Sequence, residues 1–187
     1  MRTDPSEFDR LRKLSVLVAL GPSAMGETAV VTVDPAAHRS LAIEANNSTW
    51  EFLSKPLGSL SPDEQEEMTR RAYAAAYHWD RAEGTTVANA ARAEWLLARV
   101  WVVRGNGALA LFHADRCMRA CERGSLVDFD LAYAHESTAR AHACLGDHEL
   151  AARHRTAAFA VPVANADDKA QVDSDLAAEP WFGAVSP

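Results

Sequence analysis

From His38 onward, apolar side chains recur at the spacing of one helical face. Leu41, Ala45, Trp50 and Leu53 fall near a 3.6-residue period, and Pro56 with Gly58 ends that segment. Ser61-Pro62-Asp63-Glu64 then predicts a helix start. Ser61 is a cap, Pro62 suits the first helical position, and Glu64 can close a capping box. Met68, Ala72, Ala75, Ala76 and Trp79 line the buried face of that second helix. A third helix is predicted over about 86–104, capped by Thr86, and a fourth begins after Gly105-Asn106-Gly107 and stops near Gly124. A fifth covers about 130–145 and a sixth follows Gly146-Asp147 and ends at Pro162. A short last helix starts at Asp167-Asp168, with Trp181-Phe182 docking behind it. Short connections between seven helices make neighbours antiparallel. The expected fold is all-α.

The first 36 residues have a different pattern. Short β-branched-rich runs at 14–20 and 28–33 flank Gly21-Pro22-Ser23-Ala24-Met25-Gly26. A β-hairpin, one short helix over 8–20 and a partly disordered extension all fit this segment. The expected division is therefore an extension over 1–36, taken as non-helical, and one helical domain over 37–187.

Two helix pairs superpose when the chain is shifted by 41 residues: Leu97-Ala98-Arg99 on Thr138-Ala139-Arg140, Gly105 on Gly146, Ala110 on Ala151 and Cys117 on Ala158. Small residues at matched places let the two helices of a hairpin approach, and glycine makes the turn. Leu97, Ala98, Trp101, Gly105 and Ala110 resemble the tetratricopeptide repeat pattern. The second copy is looser, with His135, Thr138 and His142 at places where large apolar residues are commoner. The resemblance covers about 92–162. Its period exceeds the usual length of roughly 34 residues, and the excess falls around 124–128. Such hairpins need about three units to bury a continuous core, so the pair at 38–80 is expected to stack as a third, degenerate hairpin.

Composition narrows the function. The chain has 187 residues, 48% apolar and 24% charged, as an ordinary globular domain does. A net charge of −7 argues against nucleic-acid binding through a general basic field. No stretch reaches the roughly 20 apolar residues of a membrane span, and the run at 14–20 is short for a signal peptide. Three cysteines, an odd number, suit a reducing compartment, so a cytoplasmic location is expected.

The tetratricopeptide resemblance implies a concave groove lined by the first helix of each hairpin. It places Arg92, Trp95, Arg99 and Val103 there from one hairpin and Tyr133, Glu136 and Arg140 from the next. Three guanidinium groups beside two aromatics could clamp a carboxylate or an acidic peptide. Equally, the arginines could pair with Glu94, Glu136 or Glu83 and do no more than solvate a surface. Asn46, His78, Trp79 and Asn89, with Asn47 and Tyr77, form an alternative polar pocket between the first pair and the repeats. His113, Cys117 and Cys121 share one helix face at a spacing that suits zinc or copper, although Cys117 aligns with a packing alanine. His135 and His142 share another face, and core histidines are the favoured account of them. The chain has no phosphate loop, nucleophile elbow, His-Glu-x-x-His pair or double Cys-x-x-Cys motif, which lowers the weight on catalysis. The expected function is a protein-interaction module, without cofactor, that binds a peptide, a partner or its own copy as a homodimer. The alternative is a helical small-molecule or metal protein.

Overall fold

The computed structural model describes residues 32–184, and the runs at 14–20 and 28–31 lie outside them. Among the described residues all regular structure is helical: α1 (Pro35–Leu53), α2 (Pro62–Trp79), α3 (Val87–Val103), α4 (Gly107–Gly124), α5 (Asp128–Leu145), α6 (His148–Ala160) and α7 (Ala166–Ala177). The start of α2 follows the sequence signal closely. Ser61 N–H donates to Glu64 Oε2 at 2.8 Å and Glu64 N–H donates to Ser61 Oγ at 3.3 Å. Helix α1 begins before the periodic residues do, because Asp34 accepts from the Ala36 N–H and Pro35 takes the first position.

Gly124 does not terminate its helix in the expected way. It is the last residue of α4, and Ser125 adopts the left-handed conformation at φ 47°. The site requires a glycine for space, since a Cβ there would lie 2.8 Å from Val87 Cγ1. Gly146, in contrast, supplies the left-handed turn between α5 and α6 at φ 81°.

Consecutive helices pack as antiparallel hairpins, α1 on α2, α3 on α4 and α5 on α6. The odd-numbered helices also touch in the order α1, α3, α5, α7, so they form one layer and α2, α4 and α6 the other. Alanine makes this close layering possible. Ala42, Ala72, Ala75, Ala98, Ala110, Ala114, Ala132, Ala134, Ala139 and Ala141 are wholly buried, and small side chains bring helix axes towards the short end of the usual 8–10 Å range. Larger side chains fill what remains: Met68, Leu96, Leu97 and Val100 between the first two hairpins, and Val172, Leu176 and Trp181 over the third. Positions 41 apart carry matching environments. Leu97 and Thr138, Ala110 and Ala151, and Cys117 and Ala158 are buried in pairs, and Gly105 and Gly146 both have positive φ. No helix of the described residues is long and apolar enough to cross a membrane.

Gly107 marks a close approach between the second and third hairpins. A Cβ there would meet Leu145 Cγ at 2.7 Å and the Leu145 backbone nitrogen at 3.0 Å. Gly107→Ala is therefore expected to lower stability by about 1–3 kcal/mol in urea unfolding, despite alanine's better helix propensity. An unchanged or raised midpoint would show that this contact is loose.

Candidate functional site

The layer formed by α1, α3 and α5 carries a ladder of aromatic rings. Trp50 of α1 lies 5.4 Å from Trp95 of α3, and Trp95 lies 4.5 Å from Tyr133 of α5, centroid to centroid. Phe129, one turn before Tyr133, extends it at 6.4 Å. Between these rings opens a mainly apolar cleft of about 160 Å³, completed by Asn46, Ala91, Arg92, Cys117 and Asp130. A second hollow of about 370 Å³ lies against Arg39, Ile43, Asn46, Asn47, Trp79, Asn89 and Arg92. Asn46 and Arg92 line both, so the two lie side by side as the aromatic end and the polar end of one face.

The polar end is rich in donors. Asn89 Oδ1 accepts from the Thr86 N–H at 3.0 Å and the Thr86 hydroxyl at 2.9 Å, which closes the start of α3. Asn47 Oδ1 accepts from Asn46 Nδ2. These bonds engage the oxygens, and among the described residues the Asn47 and Asn89 amide N–H groups meet no acceptor. Arg39 lies 5.7 Å from the Trp79 ring and donates to the Glu83 carbonyl. Among the described residues no carboxylate lines this hollow. Arg92 is different, because Asp130 accepts from its Nε at 2.7 Å and from its Nη2 at 3.0 Å, and its guanidinium covers Phe129 at 4.9 Å.

The residues expected in one clamp separate into two sets. Arg92, Trp95 and Tyr133 line the groove, whereas Arg99, Glu136 and Arg140 are buried beneath it. Glu136 is fully buried and takes hydrogen bonds from Arg99, from Arg140 and, at 2.9 Å, from Trp95 Nε1. Arg140 also donates to the carbonyls of Asp175, Ala178 and Pro180, where the chain leaves α7. Burial alone would raise the Glu136 carboxyl, but the charges of Arg99 and Arg140 outweigh it and hold it below the usual range. Below the ladder, burial and then the Asp175 acceptor push the Tyr133 phenol upward. The two arginines are thus structural cations with committed donors.

Of the alternative pocket, Asn46, Trp79 and Asn89 come together in the polar hollow. His78 does not join them; its Nδ1 meets His38 Nδ1 at 2.7 Å. On the third candidate face, both His113 ring nitrogens are engaged, by Glu94 Oε2 at 2.7 Å and Tyr73 Oη at 3.1 Å. Cys121 Sγ points to the Asp130 carbonyl, and its contact with the Cys117 thiol, with burial second, pushes Cys117 upward. Among the described residues no three His, Cys, Asp or Glu side chains are grouped to hold a metal ion. Sequence reasoning missed Arg39, Trp50, Phe129 and Asp130. Trp50 had a signal, standing one turn after Asn46 on the helix that begins the layer. Asp130 had none, because it meets Arg92 only through packing of α5 on α3. No protein-family model, characterised protein or solved structure matches the chain.

Glu136→Gln keeps the side-chain shape and leaves two buried guanidinium groups without a counter-charge, so it is expected to cost about 3–5 kcal/mol in denaturant unfolding. Because the folded carboxyl is held low, its contribution is present above the unfolded value of about 4.3. It is lost as pH falls through the folded value. The glutamine variant should lack that part of the acid limb, and an unaltered acid limb would show that Glu136 is not the titrating group.

Proposed function

We propose that this chain is a tetratricopeptide-like helical-hairpin module that captures an extended segment of a partner protein along the groove of α1, α3 and α5. The observation that carries this reading is the adjacency of the aromatic cleft and the donor-rich hollow, which share Asn46 and Arg92. A large apolar side chain suits the cleft, where Trp50, Trp95, Phe129 and Tyr133 offer rigid rings at low entropic cost. Peptide carbonyls or a carboxylate suit the polar end, where Arg39 and the amides of Asn47 and Asn89 are donors without an acid among them. Support for the repeat family comes from the equivalence of positions 41 apart and from the two-layer stacking. The chemistry favours an acidic or carboxylate-ended segment with an aromatic or aliphatic anchor. A second reading, a small apolar ligand, is favoured by the cleft's size and mainly apolar lining.

Selection from a display library of short peptides, read out by the fluorescence of Trp50 and Trp95, tests the proposal. Enrichment of acidic sequences with one large apolar residue is expected. Arg39→Glu with Ile43→Glu, both exposed changes, should weaken the selected peptides by about tenfold or more. Equal binding by wild type and variant, or no enrichment, would remove the groove from consideration. A reproducible small added mass in native mass spectrometry would favour the second reading instead.

A further inference from the structure

Four histidines meet in two pairs across helix contacts. His38 of α1 and His78 of α2 place their Nδ1 atoms 2.7 Å apart, and His135 of α5 and His154 of α6 place theirs 3.1 Å apart. His142, further along α5, stacks on His154 with ring centroids 5.9 Å apart and planes 20° apart. One pair thus links the helices of the first hairpin and the other those of the third. The middle hairpin differs, because its histidine, His113, bridges Glu94 of α3 and Tyr73 of α2.

Neutral imidazole has one N–H donor and one acceptor nitrogen. Two rings meeting through Nδ1 are satisfied when one donates to the other. A first added proton is tolerated, since the charged ring still donates to the neutral one. A second puts N–H on both facing atoms, so two donors of like charge meet where one bond was. The charged neighbours reinforce this at the first pair, where Arg81, in the turn after α2, adds positive charge beside His78. At the second, Arg153 and His142 do the same to His154, opposed by Asp115 of α4. Asp147 lies 3.9 Å from His142, and among the described residues no carboxylate is within ion-pair distance of the four paired rings.

We propose that the two histidine pairs are acid-sensitive closures of the first and third hairpins, and that protonating both members of a pair loosens its hairpin while the middle hairpin stays closed. Helix α1 supplies Arg39, Ile43, Asn46, Asn47 and Trp50 to the groove, so its loosening dismantles one groove wall whatever the groove binds.

Burial lowers His78, His135 and His154, with the neighbouring cations adding to the effect at His78 and His154. A histidine lowered in the fold binds fewer protons there than in the unfolded chain. Its contribution is therefore present above the ordinary value of about 6.5 and is lost as pH falls from there through the folded value. Carboxylates held low, Glu136 among them, titrate below this window.

Hydrogen exchange of the full chain at pH 7.5 and 5.5, corrected for intrinsic rates, tests the proposal. Amides of α1, α2, α5 and α6 should exchange about tenfold faster at pH 5.5. Those of α3 and α4 should change less. His78→Gln with His154→Gln should flatten this response. Uniform protection at both pH values, or an undiminished response in the variant, would overturn the proposal. Should the variant fail to fold, NMR titration of the imidazole Cε1 protons in the wild type decides. His78 and His154 titrating below the free-histidine value is expected, and titration at that value would overturn it.

Discussion

The Glu136 carboxylate, without access to solvent, joins three parts of this molecule that lie far apart in sequence. It accepts from Arg99 and Trp95 on α3 and from Arg140 on its own helix, and Arg140 carries the connection to the carbonyls after α7. Burying an ionised carboxylate is costly, and the cost is met only because every strong partner is in place. This geometry sets the distance between the second and third hairpins. It also fixes the Trp95 indole, and through that ring the spacing of the aromatic ladder.

The same cluster determines which arginines are left to meet a ligand. Arg99 and Arg140 share a helical register with positions that would face a groove, yet their charge is neutralised inside the protein. Arg92 is paired with Asp130 over the Phe129 ring and lines both hollows. Arg39 remains, on α1, at the polar end. A surface that would have been strongly cationic is therefore mostly aromatic and amide.

Trp181 closes the far end by a related device. Its ring lies 4.2 Å from the Arg140 guanidinium and 4.1 Å from that of Arg155, and Arg155 also donates to the Leu176 carbonyl at 2.6 Å. Two cations against one ring face, each also donating to backbone carbonyls, hold the segment after α7 against α5 and α6, although Arg155 Nε and Trp181 Nε1 are buried without a hydrogen-bond partner among the described residues. The last helix of the described residues thus packs on both helices of the third hairpin.

Local chemistry in the chain determined the helices themselves. The Ser61-Pro62-Glu64 start, the Gly146 turn and the 3.6-residue recurrence of alanine and leucine act within a few residues, so they were legible without any tertiary contact. The matched positions 41 apart were legible for the same reason, since each reports the burial of one helix face. The partners of charged groups were not. Glu136 could face a groove or a core by its spacing, and only the packing of α5 against α3 and α7 put two cations and an indole around it. Likewise His38 and His78 are 40 residues apart and met only when α1 and α2 closed. Which polar groups are spent inside the fold and which are left for a ligand depends on distances across helices, and these the tertiary structure alone decided.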